Sequence, residues 1–218
     1  MLSSKFLSVS SSTPTLVSES HVGVDGSLSN TLIIPAPSGV KPGMVLVAYV
    51  SQGNSEPVTW SNSDGFTLKK SVASSPSLAV FVKTATSSEP SNYTFTVSGV
   101  PNAHKGGVIV AYRDAVFDVA GDIMAVGPAN ATVPAISITT TSGSDVLAFF
   151  TRDYGGLNLT TPSGYTLITK YTTGATTTIS WGAFRKSFPI AGSTGTVEST
   201  FSDAIGNGQG VLVSLKGN

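Results

Sequence analysis

Short apolar or alternating runs, rich in Val, Ile, Thr, Tyr and Phe, recur along the chain between segments of Gly, Pro, Ser and Asn. Helical periodicity is nearly absent, so the pattern points to an all-β sandwich or barrel. In the first half, strands are predicted at Lys5 to Ser10, Thr31 to Ile34, Met44 to Ser51, Phe66 to Val72, Leu78 to Thr84, Tyr93 to Ser98 and Gly107 to Tyr112. In the second they are predicted at Ala135 to Thr140, Val146 to Thr151, Tyr165 to Tyr171, Thr178 to Lys186, Gly195 to Phe201 and Gly210 to Leu215. Tyr93 to Val97 alternates apolar and polar residues, which places one face in a core and the other in water. Met44 to Val50 and Val108 to Ala111 are continuously apolar and read as central strands covered on both faces. Prolines such as Pro42, Pro76, Pro90 and Pro162 fall between the runs, where no ladder hydrogen bond is lost.

The runs repeat. Met44-Val45-Leu46-Val47-Ala48-Tyr49-Val50-Ser51 is echoed by Ser144-Asp145-Val146-Leu147-Ala148-Phe149-Phe150-Thr151. Asp64-Gly65-Phe66-Thr67-Leu68 returns as Ser163-Gly164-Tyr165-Thr166-Leu167, and Gly107-Val108-Ile109-Val110 as Gly210-Val211-Leu212-Val213. The expected fold is an antiparallel, jelly-roll-like β-sandwich built from two internal repeats, about 31–113 and 135–216. Either each half closes as its own small sandwich, or the halves interleave as one larger one. The segment from Asp114 to Pro134 carries Val116, Phe117, Val119, Ile123, Met124 and Val126, enough apolar surface to pack, so a single duplicated sandwich over 31–218 is favoured. Asp114, Asp118 and Asp122 in that segment would share a helix face, but Gly121, Gly127 and Pro128 favour a loop with one short strand or turn. Residues 1–30 precede the repeat and read as an edge strand or an arm that reaches a neighbour.

Composition narrows the function classes. Charged residues are 11% of the 218 and the formal net charge is zero, against a usual ~25% charged. Polarity comes from Ser, Thr, Asn and Gly, a surface suited to hydrogen-bonded contact with proteins or sugars. No Lys/Arg cluster supplies a nucleic-acid footprint, and no apolar run reaches the ~20 residues of a membrane span. The absence of cysteine excludes disulfides and thiolate metal sites. Residues Met1 to Leu7 lack the form of a signal peptide, so the expected product is made in a host cytoplasm without export.

Gly39-Val40-Lys41-Pro42-Gly43-Met44-Val45-Leu46-Val47-Ala48 is similar to the opening strand of an uncharacterised β-rich module of bacteriophage structural and tail proteins and some bacterial surface proteins. Similar stretches are Ser88-Glu89-Pro90-Ser91-Asn92-Tyr93-Thr94-Phe95-Thr96, Val110-Ala111-Tyr112-Arg113-Asp114 and Thr161-Pro162-Ser163-Gly164-Tyr165-Thr166-Leu167. The chain departs from the module's Pro-x-Gly-Trp turn at Trp60 to Phe66. The resemblance implies a structural role in a virion or on a surface, and carries over no catalytic residue.

No motif for chemistry emerges. His21 and His104 have no second histidine at ligand spacing, and the three spaced aspartates do not make a calcium loop, so no metal or cofactor is expected. No nucleophile elbow or phosphate loop is present. A glycosidase needs two facing carboxyls, and Glu56, Asp64, Asp114 and Asp153 carry no local signature of such a pair. The candidates for glycan or partner contact are Trp60 with Asn62 and Asp64, and Tyr154 with Asn158; the competing view is that Trp60 and Tyr154 close the ends of the core. Trp181, mid-strand, reads as core. The expected function is a non-enzymatic virion protein, a capsid decoration or cement protein or a fibre component. Its partners would be the major capsid protein and itself, as a homo-oligomer with a trimer on a local three-fold. The alternatives are a carbohydrate- or receptor-binding module acting on a host glycan, and, third, a hydrolase.

Overall fold

The computed structural model describes residues 12–24, 29–53, 57–99, 104–172 and 179–218. The strand predicted at Lys5 to Ser10 lies outside them. The first half forms β1 (Thr15–Val24), β2 (Thr31–Pro35), β3 (Val45–Gln52), β4 (Thr59–Asn62), β5 (Thr67–Val72), β6 (Ser77–Thr84), β7 (Asn92–Ser98) and β8 (Lys105–Arg113). An antiparallel sheet of five strands runs in the order β1-β8-β3-β6-β5, and a sheet of three runs β2-β7-β4. The chain thus crosses from sheet to sheet as it proceeds, which is jelly-roll winding.

The second half forms β9 (Ala115–Ala120), β10 (Met124–Val126), β11 (Thr132–Ala135), β12 (Thr139–Thr140), β13 (Ser144–Arg152), β14 (Thr166–Tyr171), β15 (Ser180–Phe188), β16 (Gly192–Ser193), β17 (Val197–Thr200) and β18 (Gly208–Gly217). Its main sheet runs β10-β18-β13-β15-β14, with β9 also on β18. The short pairs β11-β17 and β12-β16 and a bridge between Leu159 and Phe201 form the layer opposite. The described residues contain no helix.

Segments that read alike also pair alike. Tyr49 lies opposite Val80 and Val108, and Phe149 opposite Ala183 and Val211. Even the bulges coincide, between Leu68 and Lys70 on β5 and between Leu167 and Thr169 on β14. Every described ladder stays within one half, so the halves do not interleave. Each half encloses its own core. Leu46, Ala48 and Val50 of β3 face Leu32, Trp60 and Phe95, while Val146, Ala148 and Phe150 of β13 face Val133, Leu159 and Phe201.

A third core joins the halves. The opposite face of β3, with Val45, Val47 and Tyr49, packs with Leu147 and Phe149 of β13. The result is a stack of four layers with both large sheets inside. That arrangement is why β3 and β13 are buried at every position: alternate residues enter different cores, so neither face tolerates polarity in mid-strand. Across the central interface the Tyr49 and Phe149 rings stack with centroids 4.8 Å apart and planes 7° from parallel. Two residues further along each strand, the Ser51 and Thr151 hydroxyls meet at 3.2 Å.

The strands without a bounded segment in the sequence pattern are peripheral, and residues 1–30, expected as an edge strand or an arm, supply one of them. β1 is an edge strand, half-buried along most of its length. β4 has only 4 residues, too short for a periodic signal. The segment from Asp114 to Pro134, expected as a loop with one short strand or turn, supplies β9, β10 and the start of β11. Phe117 and Ile123 pack against the central core, and the free edge of β18 offers their backbone its hydrogen bonds. The three aspartates point to different partners: Asp118 to Lys216 at 3.5 Å, Asp122 to Lys70 at 2.6 Å and Asp114 to Arg113 at 3.7 Å.

Candidate functional site

The sequence candidates fall in two separate places. On β4 the Trp60 ring is turned inward and is only 4% exposed. Its indole N–H donates to Ser77 Oγ at 3.1 Å. Asn62 Oδ1 accepts from the amides of Asp64 (2.7 Å) and Phe66 (3.2 Å), while its Nδ2 donates to the Thr94 carbonyl at 2.9 Å. Asp64 Oδ2 in turn accepts the Thr94 amide at 2.6 Å. These side chains fasten a turn whose Gly65 sits at φ 85°, a left-handed conformation that favours glycine. In the other half Tyr154 is half-buried against the outer core, and Asn158 is exposed. No hydrogen bond or ring contact joins the two groups. Of the five, Asn158 alone is exposed; Asn62, Asp64 and Tyr154 are half-buried and Trp60 is buried. Glu56 lies outside the described residues.

A cleft of about 500 Å³ opens between the halves, with Pro57, Ser74 and Ser75 on one side and Val126, Asp153 and Asn207 on the other. Asp153 accepts a hydrogen bond from Ser75 Oγ. Burial pushes its carboxyl up, against the opposing pull of that bond and of His104. Behind the cleft the end of the central core is polar. Gln52, Lys105, Arg152 and Gln209 are all fully buried there, and Gln209 Nε2 donates to Ser74 Oγ at 3.0 Å. Burial also lowers the Lys105 ammonium and the Arg152 guanidinium. Glycoside hydrolysis needs two facing carboxyl groups; Asp153 is the single acid among the described residues lining this cleft.

A lysine cluster closes the other end of the first half. Lys83 Nζ donates to Glu89 Oε2 at 2.6 Å and to the Asp64 carbonyl at 2.7 Å. It lies 5.9 Å from the Phe66 ring centroid and 5.3 Å from that of Tyr93. The Tyr93 hydroxyl donates to the same carboxylate at 2.7 Å. Burial opposes ionisation of Glu89. The bonds from Lys83, the Thr86 amide and the Tyr93 hydroxyl outweigh it and hold the carboxyl at about 2, below the usual 4.5.

A folded-state value below the unfolded one means that the contribution is fully present above pH 4.5 and is lost as pH falls toward 2. Allowing for solvent screening, it amounts to about 1–2 kcal/mol. Asp145 and Asp153, both raised by burial, act in the opposite sense. Urea denaturation of the wild type and Glu89→Gln, from neutral to acid pH, isolates the Glu89 part as the difference. That difference is expected to shrink below pH 4.5; a difference independent of pH would remove the assigned role.

Among the described residues, the outward positions of the three-stranded sheet bear no charge. Thr31 and Ile33 of β2, Thr94, Thr96 and Ser98 of β7, and Thr59 and Ser61 of β4 alternate with the inward core residues. Cross-strand pairs such as Thr31 with Thr96, and Thr96 with Ser61, set hydroxyls side by side.

No protein-family model, curated protein or solved structure matches the chain. Sequence reasoning missed the buried charges. Asp145 accepts from the Tyr112 hydroxyl at 2.7 Å and lies 3.5 Å from Arg185 Nε. Asp145 and Arg152 sit near opposite ends of β13, and a polar residue at the end of a strand buried on both faces was the available signal. Among the described residues no helix is long and apolar enough to cross a membrane, and no group of three or more acids and histidines could hold a metal ion.

Proposed function

We propose that this protein is a non-enzymatic structural component of a virion, most simply a decoration protein that adheres to an assembled capsid. The observation that carries this reading is the uncharged, hydroxyl-lined outer face of β2-β7-β4, mounted on a four-layer stack. Such a face offers short-range hydrogen bonds and apolar contact without long-range steering, as a static contact with a fixed lattice requires. The near-neutral chain adds little repulsion between copies. Jelly-roll sandwiches occur in viral capsid and lectin domains, an analogy of fold alone. Adhesion to the assembled shell only would stabilise it by linkage.

Particles lacking the protein are expected to lose their contents at lower temperature or lower salt, and added protein restores resistance. Thr96→Glu, which places a charge on the outer face, is expected to weaken particle binding by ~10-fold or more while leaving the melting temperature of the free protein unchanged. Particles equally robust without the protein would count against the proposal.

A further inference from the structure

The two halves treat one lysine differently. Lys83 at the end of β6 is closed in by Glu89 and Tyr93. Lys186 on β15 holds the matching place in the second half. Its Nζ lies 5.7 Å from the Tyr165 ring centroid and 5.2 Å from that of Phe188. It also stands 3.1 Å from where a Cβ would fall on Gly164, whose φ is 75°. No carboxylate pairs with Lys186 among the described residues.

Register explains the difference. Tyr93 lies opposite Ile34, and Val197 lies opposite Ala135 in the corresponding ladder. Valine brings neither a ring nor a hydroxyl, and among the described residues no carboxylate closes on Lys186 as Glu89 does on Lys83. The space filled in the first half is open in the second, as a cleft of about 380 Å³ lined by Thr160, Ser163, Tyr165, Lys186, Thr196 and Glu198. The Tyr165 hydroxyl is buried without a hydrogen-bond partner.

We propose that this cleft binds an acidic sugar, its carboxylate on Lys186 and its ring hydroxyls on the threonine and serine side chains and Glu198. The first half supplies the template, a carboxylate held by lysine over two aromatic rings. A charge-assisted bond from an ammonium to a carboxylate is among the stronger ones available, and the flanking rings hold the cation in place through their negative faces. Hydroxyl donors and acceptors around it match a polyol. Glu198 accepts a sugar hydroxyl and repels a second acid group, so the cleft selects one carboxylate on a neutral ring over a polyacid. The volume lies in the range of small-molecule sites. The inference does not rest on the shell-adhesion reading.

The test is an NMR titration of the full ¹⁵N-labelled chain with glucuronic acid, N-acetylneuraminic acid, glucose and acetate. At least one of the sugar acids is expected to shift the amides of Gly164, Lys186 and Val197 saturably, with a Kd on the order of 1 mM or tighter. Glucose, without a carboxylate, and acetate, without a ring, are expected to bind ~10-fold more weakly or not at all. Lys186→Gln should abolish the shifts, whereas Lys170→Gln, on exposed β14, should not. Thr196→Trp fills the cleft from an exposed position without altering charge and should also abolish them. Silence with both sugar acids, equal binding of acetate, or binding retained in Lys186→Gln would each overturn the proposal.

Discussion

Trp181→Ala is expected to lower the stability of the whole chain by about 3–5 kcal/mol, the range for removing a large buried aromatic. Trp181 is fully buried in the core between the two large sheets. Its ring lies 5.9 Å from that of Tyr171, 6.3 Å from that of Tyr49 and 6.1 Å from that of His21, so β1, β3 and β14 all meet on it. The site cannot collapse easily. Gly106 already brings backbone so close that a Cβ there would lie 2.3 Å from the indole Nε1.

The variant also tests cooperativity. Only Trp60 remains to report by fluorescence, and it sits in the outer core of the other half. Because the central core is shared, the Trp60 transition is expected to move to lower denaturant together with the far-UV signal. A Trp60 transition that stays at the wild-type midpoint while the far-UV signal splits would show that the halves unfold independently.

Arg152→Met is expected to cost about as much, roughly 3–5 kcal/mol, by a different route. The Arg152 guanidinium donates to the carbonyls of Ile205 (3.2 Å), Gly206 (2.9 Å) and Asn130, and lies 5.3 Å from the Phe201 ring centroid. Methionine keeps much of the stem packing and removes the donors. Three carbonyls in two neighbouring loops then lose a partner, each at a cost of about 1–3 kcal/mol where water cannot replace it. Hydrogen exchange should localise the effect. The amides of Ala129, Asp153 and Phe201, bonded to Ala204, Asn207 and Ala131, should exchange faster. The Ala85 amide, bonded to Met44 in the first half, should do so only through global unfolding. A loss under ~1 kcal/mol would mean that solvent satisfies those carbonyls.

What was legible in the chain was whatever local pattern dictates. β3 and β8 announced themselves as two-sided strands because an unbroken apolar run has no other place in a sandwich. The glycine–aromatic turns at Gly65 and Gly164 were legible because a positive φ demands glycine. The pairing of the halves was not legible, since packing of Tyr49 on Phe149 is a relation between distant segments that no window contains. β1 and β9 were legible only coarsely, as an edge strand or an arm and as a loop with one short strand or turn, for a related reason: edge strands are half-wet, and their mixed sequences resemble loops. Trp60 showed the same ambiguity. A tryptophan among Ser, Asn and Asp has the composition of a sugar platform, yet the alternation of β4 turns its ring into the core. The open cleft at Lys186 was hidden too, because it arises from Val197 standing where the other half has Tyr93.

Ring stacking and hydroxyl contact between residues 100 apart have a consequence for symmetry. A chain carrying one such unit would expose the inner face of its large sheet, and two copies meeting through that face would form an isologous, two-fold pair. Joining both units in one chain removes the concentration dependence of that pairing. It also breaks the equivalence of the outward-facing parts. With the meeting faces held together, Lys83 is sealed by Glu89 while Lys186 lines an open corner in the other half.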